Sequence, residues 1–141
     1  NLCLGTDGCG GNMFEEIKIG FFKHKDVTGP WWPSNFLEVL NRGNRLVESQ
    51  FGGRIKLGKI EEGYTADIVL LDYNNPTPLV TENAPGHFVW GMGSGCVNTT
   101  IVNGKVLFRD HKFVRSDASD IYKRAAEVAG ELWKEVDKIK A

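Results

Sequence analysis

Gly58-Lys-Ile-Glu-Glu-Gly63-Tyr-Thr-Ala-Asp67-Ile-Val-Leu-Leu-Asp72 sets two glycine turns in front of an uninterrupted aliphatic run with an acid at either end. A short aliphatic run bounded by turn residues predicts a buried strand, apolar on both faces. Downstream, residues 97–102 form a second run of strand type. Asn103-Gly104 behind it is a two-residue hairpin signal that sends residues 105–108 back as a returning strand. Residues 73–95 lie between these runs. A bare loop of that length is uncommon in a compact domain, which predicts a hidden helical turn or two near residues 82–90.

Upstream of Arg54 the rhythm is helical. Asn12 is a helix start, because its side chain can accept from the first free N–H groups and Glu15 completes a capping box. Phe14, Ile17 and Phe21 then recur on one face. Gly29-Pro30 ends that helix, and Trp31 and Trp32 are expected to pack over the turn. Ser34 after Pro33 begins a second helix over residues 36–40, with an interruption at 41–44 and a short continuation closed by Gly52-Gly53. Asn1 to Leu4, running into Gly5-Thr6-Asp7-Gly8, reads as the end of a buried strand entering a loop. At the other end Ser116 is expected to cap a long helix. Ile121, Ala125, Val128, Leu132, Val136 and Ile139 mark its apolar stripe. Gly130 inside it costs roughly 1 kcal/mol against Ala, which predicts a close approach by another element.

Composition removes several function classes. The chain has 141 residues, the size of one domain, and 17 Lys+Arg against 18 Asp+Glu leave a net charge of −1. Nucleic-acid binding and a polybasic membrane anchor both need a positive surplus that is absent here. The stretch from Asn83 to Gly104 carries no charge but is broken by Pro85 and several glycines, so it is not a membrane helix. Cys3, Cys9 and Cys96 are odd in number and contain no Cys-x-x-Cys, which fits reduced thiols in a cytoplasmic protein. No signal peptide is expected from the chain's opening residues. Its first residue is Asn rather than Met, so an upstream segment is expected.

Asp7 is the first candidate for chemistry. A carboxylate at the carboxyl end of a buried strand is where α/β enzymes place catalytic groups, and there it could ligate a metal or move a proton. Asp-Gly is also ordinary turn chemistry. Gly5, Gly8, Gly10 and Gly11 do not match a dinucleotide or phosphate-loop spacing, since Met13 stands where a glycine is needed. His24, His87 and His111 are isolated and form no ligand pair. His24 reads as a solvated helix end, His111 as part of an exposed strand end, and His87 as a partly buried group bonding loop carbonyls. Cys9 has no cation beside it to lower its pKa.

Taken in order, the Leu4-Gly-Thr-Asp-Gly8 strand end, the Ala66-Asp67 strand and the Asn103-Gly104 hairpin resemble the C-terminal segment of the metal-dependent amidohydrolase superfamily. The deaminase and chlorohydrolase branch is the nearest, and more narrowly the chain is similar to the SsnA-type aminohydrolases. The resemblance implies an α/β fold with a β-sandwich portion. It comprises the C-terminal end of a (β/α)8 barrel, part of the small β-sandwich domain, and a closing C-terminal helix. Residues 1–53 are then the last barrel strand and its following helices, 54–115 the C-terminal part of the sandwich, and 116–141 the amphipathic helix.

The implied activity is hydrolytic deamination of a nitrogen heterocycle, purine- or pyrimidine-like, by a metal-bound hydroxide. Asp7 carries over as metal ligand and proton shuttle. The implied cofactor is a divalent metal, zinc ahead of iron, with the remaining ligands absent from this chain; none of the three histidines matches a ligand position. Because a full barrel needs about 250 residues, the chain is expected to be a fragment that is inactive alone. Expected partners are a small heterocyclic substrate and either further copies in a homo-oligomer or the remainder of the same polypeptide, with no nucleic acid or membrane. The alternatives are a non-enzymatic β-rich accessory or dimerisation module, with Asp7 a plain turn residue, or an anion-binding module at the Gly-rich loop and the Asn12 helix start.

Overall fold

A computed structural model describes residues 2–8, 10–27, 29 and 31–140. Two helices, α1 (Met13–Val27) and α2 (Pro33–Gln50), precede β1 (Ile68–Leu71). A single turn, α3 (Ala84–Gly86), then widens into a π-helical turn at His87–Gly91, and a 3-10 turn at Ser94–Cys96 follows. The strands β2 (Val97–Val102), β3 (Lys105–Arg109) and β4 (Lys112–Phe113) come next, and α4 (Ala118–Lys140) closes the chain.

α1 begins where expected: Asn12 Oδ1 accepts from the Phe14 N–H at 3.2 Å, and Glu15 and Glu16 in the first turn suit the positive end of the helix. It ends before Gly29, whose φ of 34° lets its N–H reach the His24 carbonyl at 2.9 Å. Pro30, the other half of the expected stop, lies outside the described residues. α2 differs from expectation at two places. Pro33 takes the first helical position, with Asn35 Oδ1 accepting from the Trp32 N–H at 2.8 Å, so the helix starts ahead of Ser34. It also runs unbroken through residues 41–44. Glu38 draws Arg42 to 3.8 Å and Arg45 to 2.5 Å along one face, and the Asn41 and Asn44 side chains lie against Gly58 in the following loop. The two asparagines are one turn apart, on the side of the helix that faces this loop.

The core lies between α1, α2 and the π-helical turn. Ile17, Phe21, Phe36 and Val89 are at most 4 % exposed, with Leu4, Trp31, Leu40 and Phe88 packed around them. Phe21 meets both Phe36 and Trp90 edge to face, with centroids at 5.6 and 5.5 Å. The helical turn expected near residues 82–90 is therefore present, and it is there to bury Val89.

The sheet is antiparallel in the order β1-β2-β3-β4. Asn103 and Gly104 adopt φ of 48° and 74°, the turn that the Asn-Gly pair predicts. Asp67 explains why its strand travels with this hairpin: its Oδ1 accepts from the Asn103 N–H at 2.7 Å, while the Ala66 carbonyl accepts from Gly104 at 3.0 Å. β1 is an edge strand, not the buried one expected. Val69 and Leu70 are about half exposed because no described layer covers them. β4 escaped the sequence reading, since its turn is made by Asp110 and His111 at positive φ without an Asn-Gly pair.

Three further expectations fail locally. Asn1 lies outside the described residues, and residues 2–6 form no strand: the described sheet pairs within itself and offers them no ladder. α4 is capped by Asp117, not Ser116, with the Ser119 N–H donating to Asp117 Oδ1 at 2.8 Å. Gly130 meets nothing within 4 Å among the described residues, so no element approaches it. The α4 stripe stands in solvent, with Leu132 and Trp133 exposed. No helix among the described residues is long and apolar enough to cross a membrane.

Candidate functional site

Asp7 sits in a turn after the extended residues 2–6, at φ of 50°, a left-handed conformation that Asp tolerates better than most residues. Its carboxylate is exposed. What holds the turn lies at the two ends of its loop. On one side Leu4 packs on the core. Gly20 of α1 lies beside it, where a β-carbon would touch Leu4 Cδ2 at an ordinary 3.6 Å and crowd Phe36 Cε1 at 3.3 Å. On the other side Asn12 caps α1 and donates from Nδ2 to Ser94 Oγ at 3.2 Å. Between these anchors Gly8, Gly10 and Gly11 have open space around them, and Cys9 lies outside the described residues.

The helix start beside this loop is poorly suited to an anion. The N–H groups of Phe14, Glu15 and Glu16 already donate to Asn12, the first to its side chain and the others to its carbonyl. Glu15 and Glu16 add negative charge there.

The histidines go elsewhere. His24 is not solvated as expected; it is half-buried and stacked on Trp31, with centroids 4.7 Å apart, and faces Phe36 at 6.1 Å. His111 is exposed in the β3–β4 turn, with Nε2 3.6 Å from Asp72 Oδ2. That same carboxylate oxygen accepts from Asn98 Nδ2 at 2.7 Å. His87 is partly buried as expected, but its partners are side chains and not loop carbonyls. Tyr73 Oη lies 2.8 Å from Nδ1 and Thr77 Oγ1 3.1 Å from Nε2. A neutral imidazole can satisfy both in either tautomer, one ring nitrogen accepting from a hydroxyl and the other donating its N–H to the second hydroxyl.

His87 also borders an open cavity of about 670 Å³ walled by Trp32, Tyr73, Thr77, Glu82 and Trp90. Asp7 is not among its lining residues, so the cavity and the Asp7 loop are separate places. Among the described residues no three His, Cys, Asp or Glu side chains gather as a metal centre would require. Asp7 alone does not make one. Sequence reading missed Tyr73, Thr77 and Ser94, each of which finds its partner across a turn or across the chain where no spacing rule applies.

The amidohydrolase family matches residues 1–107. The chain is similar to the 5′-deoxyadenosine deaminase of Methanocaldococcus jannaschii, 35 % identical over 132 residues that cover 91 % of this chain and 31 % of that protein. It is also similar to the proteins of the same name from Methanopyrus kandleri and Methanococcus maripaludis strain C6. The first is 32 % identical over 94 % of this chain and 31 % of the relative, the second 34 % identical over 94 % and 32 %. The chain thus spans about a third of the length of these relatives.

Proposed function

Because the chain belongs to the amidohydrolase family, we propose that it forms the C-terminal part of an aminohydrolase that removes the amino group of a nucleoside-like heterocycle as ammonia. The observation that carries this reading is the extent of the similarity: relatives named 5′-deoxyadenosine deaminase match 91 % or more of the chain. The exposed Asp7 carboxylate, on a loop anchored at both ends, is the group this chain contributes to the reaction. Water adds to the ring carbon that bears the amino group, the neighbouring ring nitrogen takes up one proton of that water, the bond to the amino nitrogen breaks, and a ring carbonyl remains. Asp7 takes a proton from the attacking water and passes it to the departing nitrogen.

Amidohydrolases generally use a divalent metal, and the described residues do not furnish a centre by themselves. In this proposal Asp7 supplies one ligand, the remainder of the polypeptide supplies the others, and zinc precedes iron as the ion. The sheet β1–β4 is part of the small β-sandwich at 54–115. In the intact polypeptide residues 1–53 are the last barrel strand with its helices, residues 2–6 gaining there the ladder that the described sheet does not offer them, and 116–141 form the closing helix. The free thiols of Cys3 and Cys96 suit a cytoplasmic setting.

The test measures ammonia released from 5′-deoxyadenosine by the intact polypeptide and, separately, by these 141 residues supplied with zinc. Turnover is expected from the intact polypeptide only. Turnover from this chain alone would overturn the shared site, and no turnover by the intact polypeptide on any adenine nucleoside would overturn deamination.

A further inference from the structure

The start of α1 is tied to the segment that follows α3 at three levels. Asn12 donates to Ser94 Oγ at 3.2 Å, joining positions 82 residues apart. Phe14 in the first turn lies on Phe88, with ring centroids 5.1 Å apart. Deeper in, Ile17 and Val89 share the core at 1 % and 0 % exposure. The far side of the same segment is pinned by the two hydrogen bonds of His87, and the bare α-carbon of Gly91 makes room for the Tyr73 hydroxyl that forms one of them. A π-helical turn is rare and is found frequently at functional sites. Among the described residues nothing lies within 4 Å of where a β-carbon at Gly8, Gly10 or Gly11 would stand. The described anchors are at the two ends of the Asp7 loop, Leu4 on the core and Asn12 on Ser94.

We propose that residues 87–94 are a brace that positions the Asp7 loop. Ser94 fixes the loop's exit through Asn12, and His87 holds the brace in its π-helical form. Both are positioning residues, and the inference rests on Asp7 being a group of the reacting site. The Asn12–Ser94 bond is exposed, and such a bond adds little to global stability. Its loss therefore shows in loop order and in the placement of Asp7, while unfolding changes little.

The experiment uses the intact polypeptide and four variants: Ser94→Ala, Ser94→Thr, His87→Phe and His87→Gln. Three readouts are taken: steady-state ammonia release, deuterium uptake by the peptide covering residues 4–14, and the thermal midpoint. A displacement near 1 Å can cost about 10²-fold in rate. Ser94→Ala is expected to lower kcat roughly three- to thirtyfold, with KM held within about twofold. Deuterium uptake rises in residues 5–12 and the midpoint stays put. Ser94→Thr, which keeps the hydroxyl, restores both kcat and uptake. His87→Phe moves the same readouts in the same direction, and His87→Gln recovers most of the loss by accepting from Tyr73 and donating to Thr77. Wild-type kcat and uptake in Ser94→Ala would overturn the brace, as would His87 variants that lower only the midpoint. Asp7→Asn run alongside separates the two claims. Full activity in that variant would remove Asp7 from the reaction and the brace's role with it; an inactive Asp7→Asn beside an unaffected Ser94→Ala would remove the brace alone.

Discussion

A β-carbon at Gly91 would overlap the hydroxyl of Tyr73, which is held in place by its hydrogen bond to His87. Gly91→Ala must push the ring out or shift the backbone, and either strain is expected to lower stability by about 1–3 kcal/mol, read from the urea midpoint of the intact polypeptide. An unchanged midpoint would mean that Tyr73 is free to move. This glycine gave no signal in the sequence beyond membership of a glycine-rich stretch. Its constraint comes from a tyrosine in a different part of the fold, and only three-dimensional placement exposes it. Asp7 was easier to single out, because a carboxylate between a short apolar run and a string of glycines is a local pattern. The anchors that hold it, Leu4 on the core and Asn12 on Ser94, were not legible, because both depend on elements that arrive later in the chain.

Elements whose rules are local were read well. α1 was marked by its Asn cap and its Phe14, Ile17, Phe21 spacing, and the β2–β3 hairpin by Asn103-Gly104. α2 was misread as broken because Asn41, Gly43 and Asn44 are weak helix formers by themselves. The helix nonetheless runs through them unbroken, with the Gly58 loop lying against the two asparagines and Glu38 bridging to Arg42 and Arg45 along it. α1 is held by burial, so Ile17→Ala is expected to cost about 2–5 kcal/mol of unfolding free energy; a smaller loss would show that the α1–α2–Val89 cluster can collapse around the cavity. At α4 the stabilising device is electrostatic. Hydrogen bonds from the Ser119 side chain and backbone hold the Asp117 carboxyl below its usual value. A depressed carboxylate contributes stability above its unfolded pKa, and that contribution is lost as pH falls through the lower folded value. The start of α4 is therefore expected to loosen only in acid below the ordinary carboxylate range, seen as faster amide exchange at residues 118–121. Asp117→Asn, which can still cap but does not titrate, should abolish that pH dependence; the same acid response in the Asn variant would remove Asp117 as its source.

At the scale of the molecule, one well-filled core coexists with broad uncovered apolar surface. Ile121, Val128, Leu132 and Trp133 on α4, and Val69 and Leu70 on β1, all stand in solvent. Surface of that kind, together with an open sheet edge, seeks cover. These 141 residues expressed alone are expected to self-associate, eluting ahead of a monomer and binding a hydrophobic dye; a stable monomer with no dye binding would show that the exposed stripe tolerates water. The family was legible from three motifs in order. The structure supplies a physical reason for two of them travelling together, in the bond from the Asn103 N–H to Asp67. No complete metal centre is legible in the sequence, and among the described residues no three His, Cys, Asp or Glu side chains gather into one. The most direct test is therefore Asp7→Asn in the intact polypeptide, with ammonia release from 5′-deoxyadenosine and bound metal per chain measured together. Loss of a positioned proton-transfer group costs about 10²- to 10⁴-fold. The proposal predicts a fall of at least that order with weakened metal retention. Full activity and full metal content in the variant would contradict it.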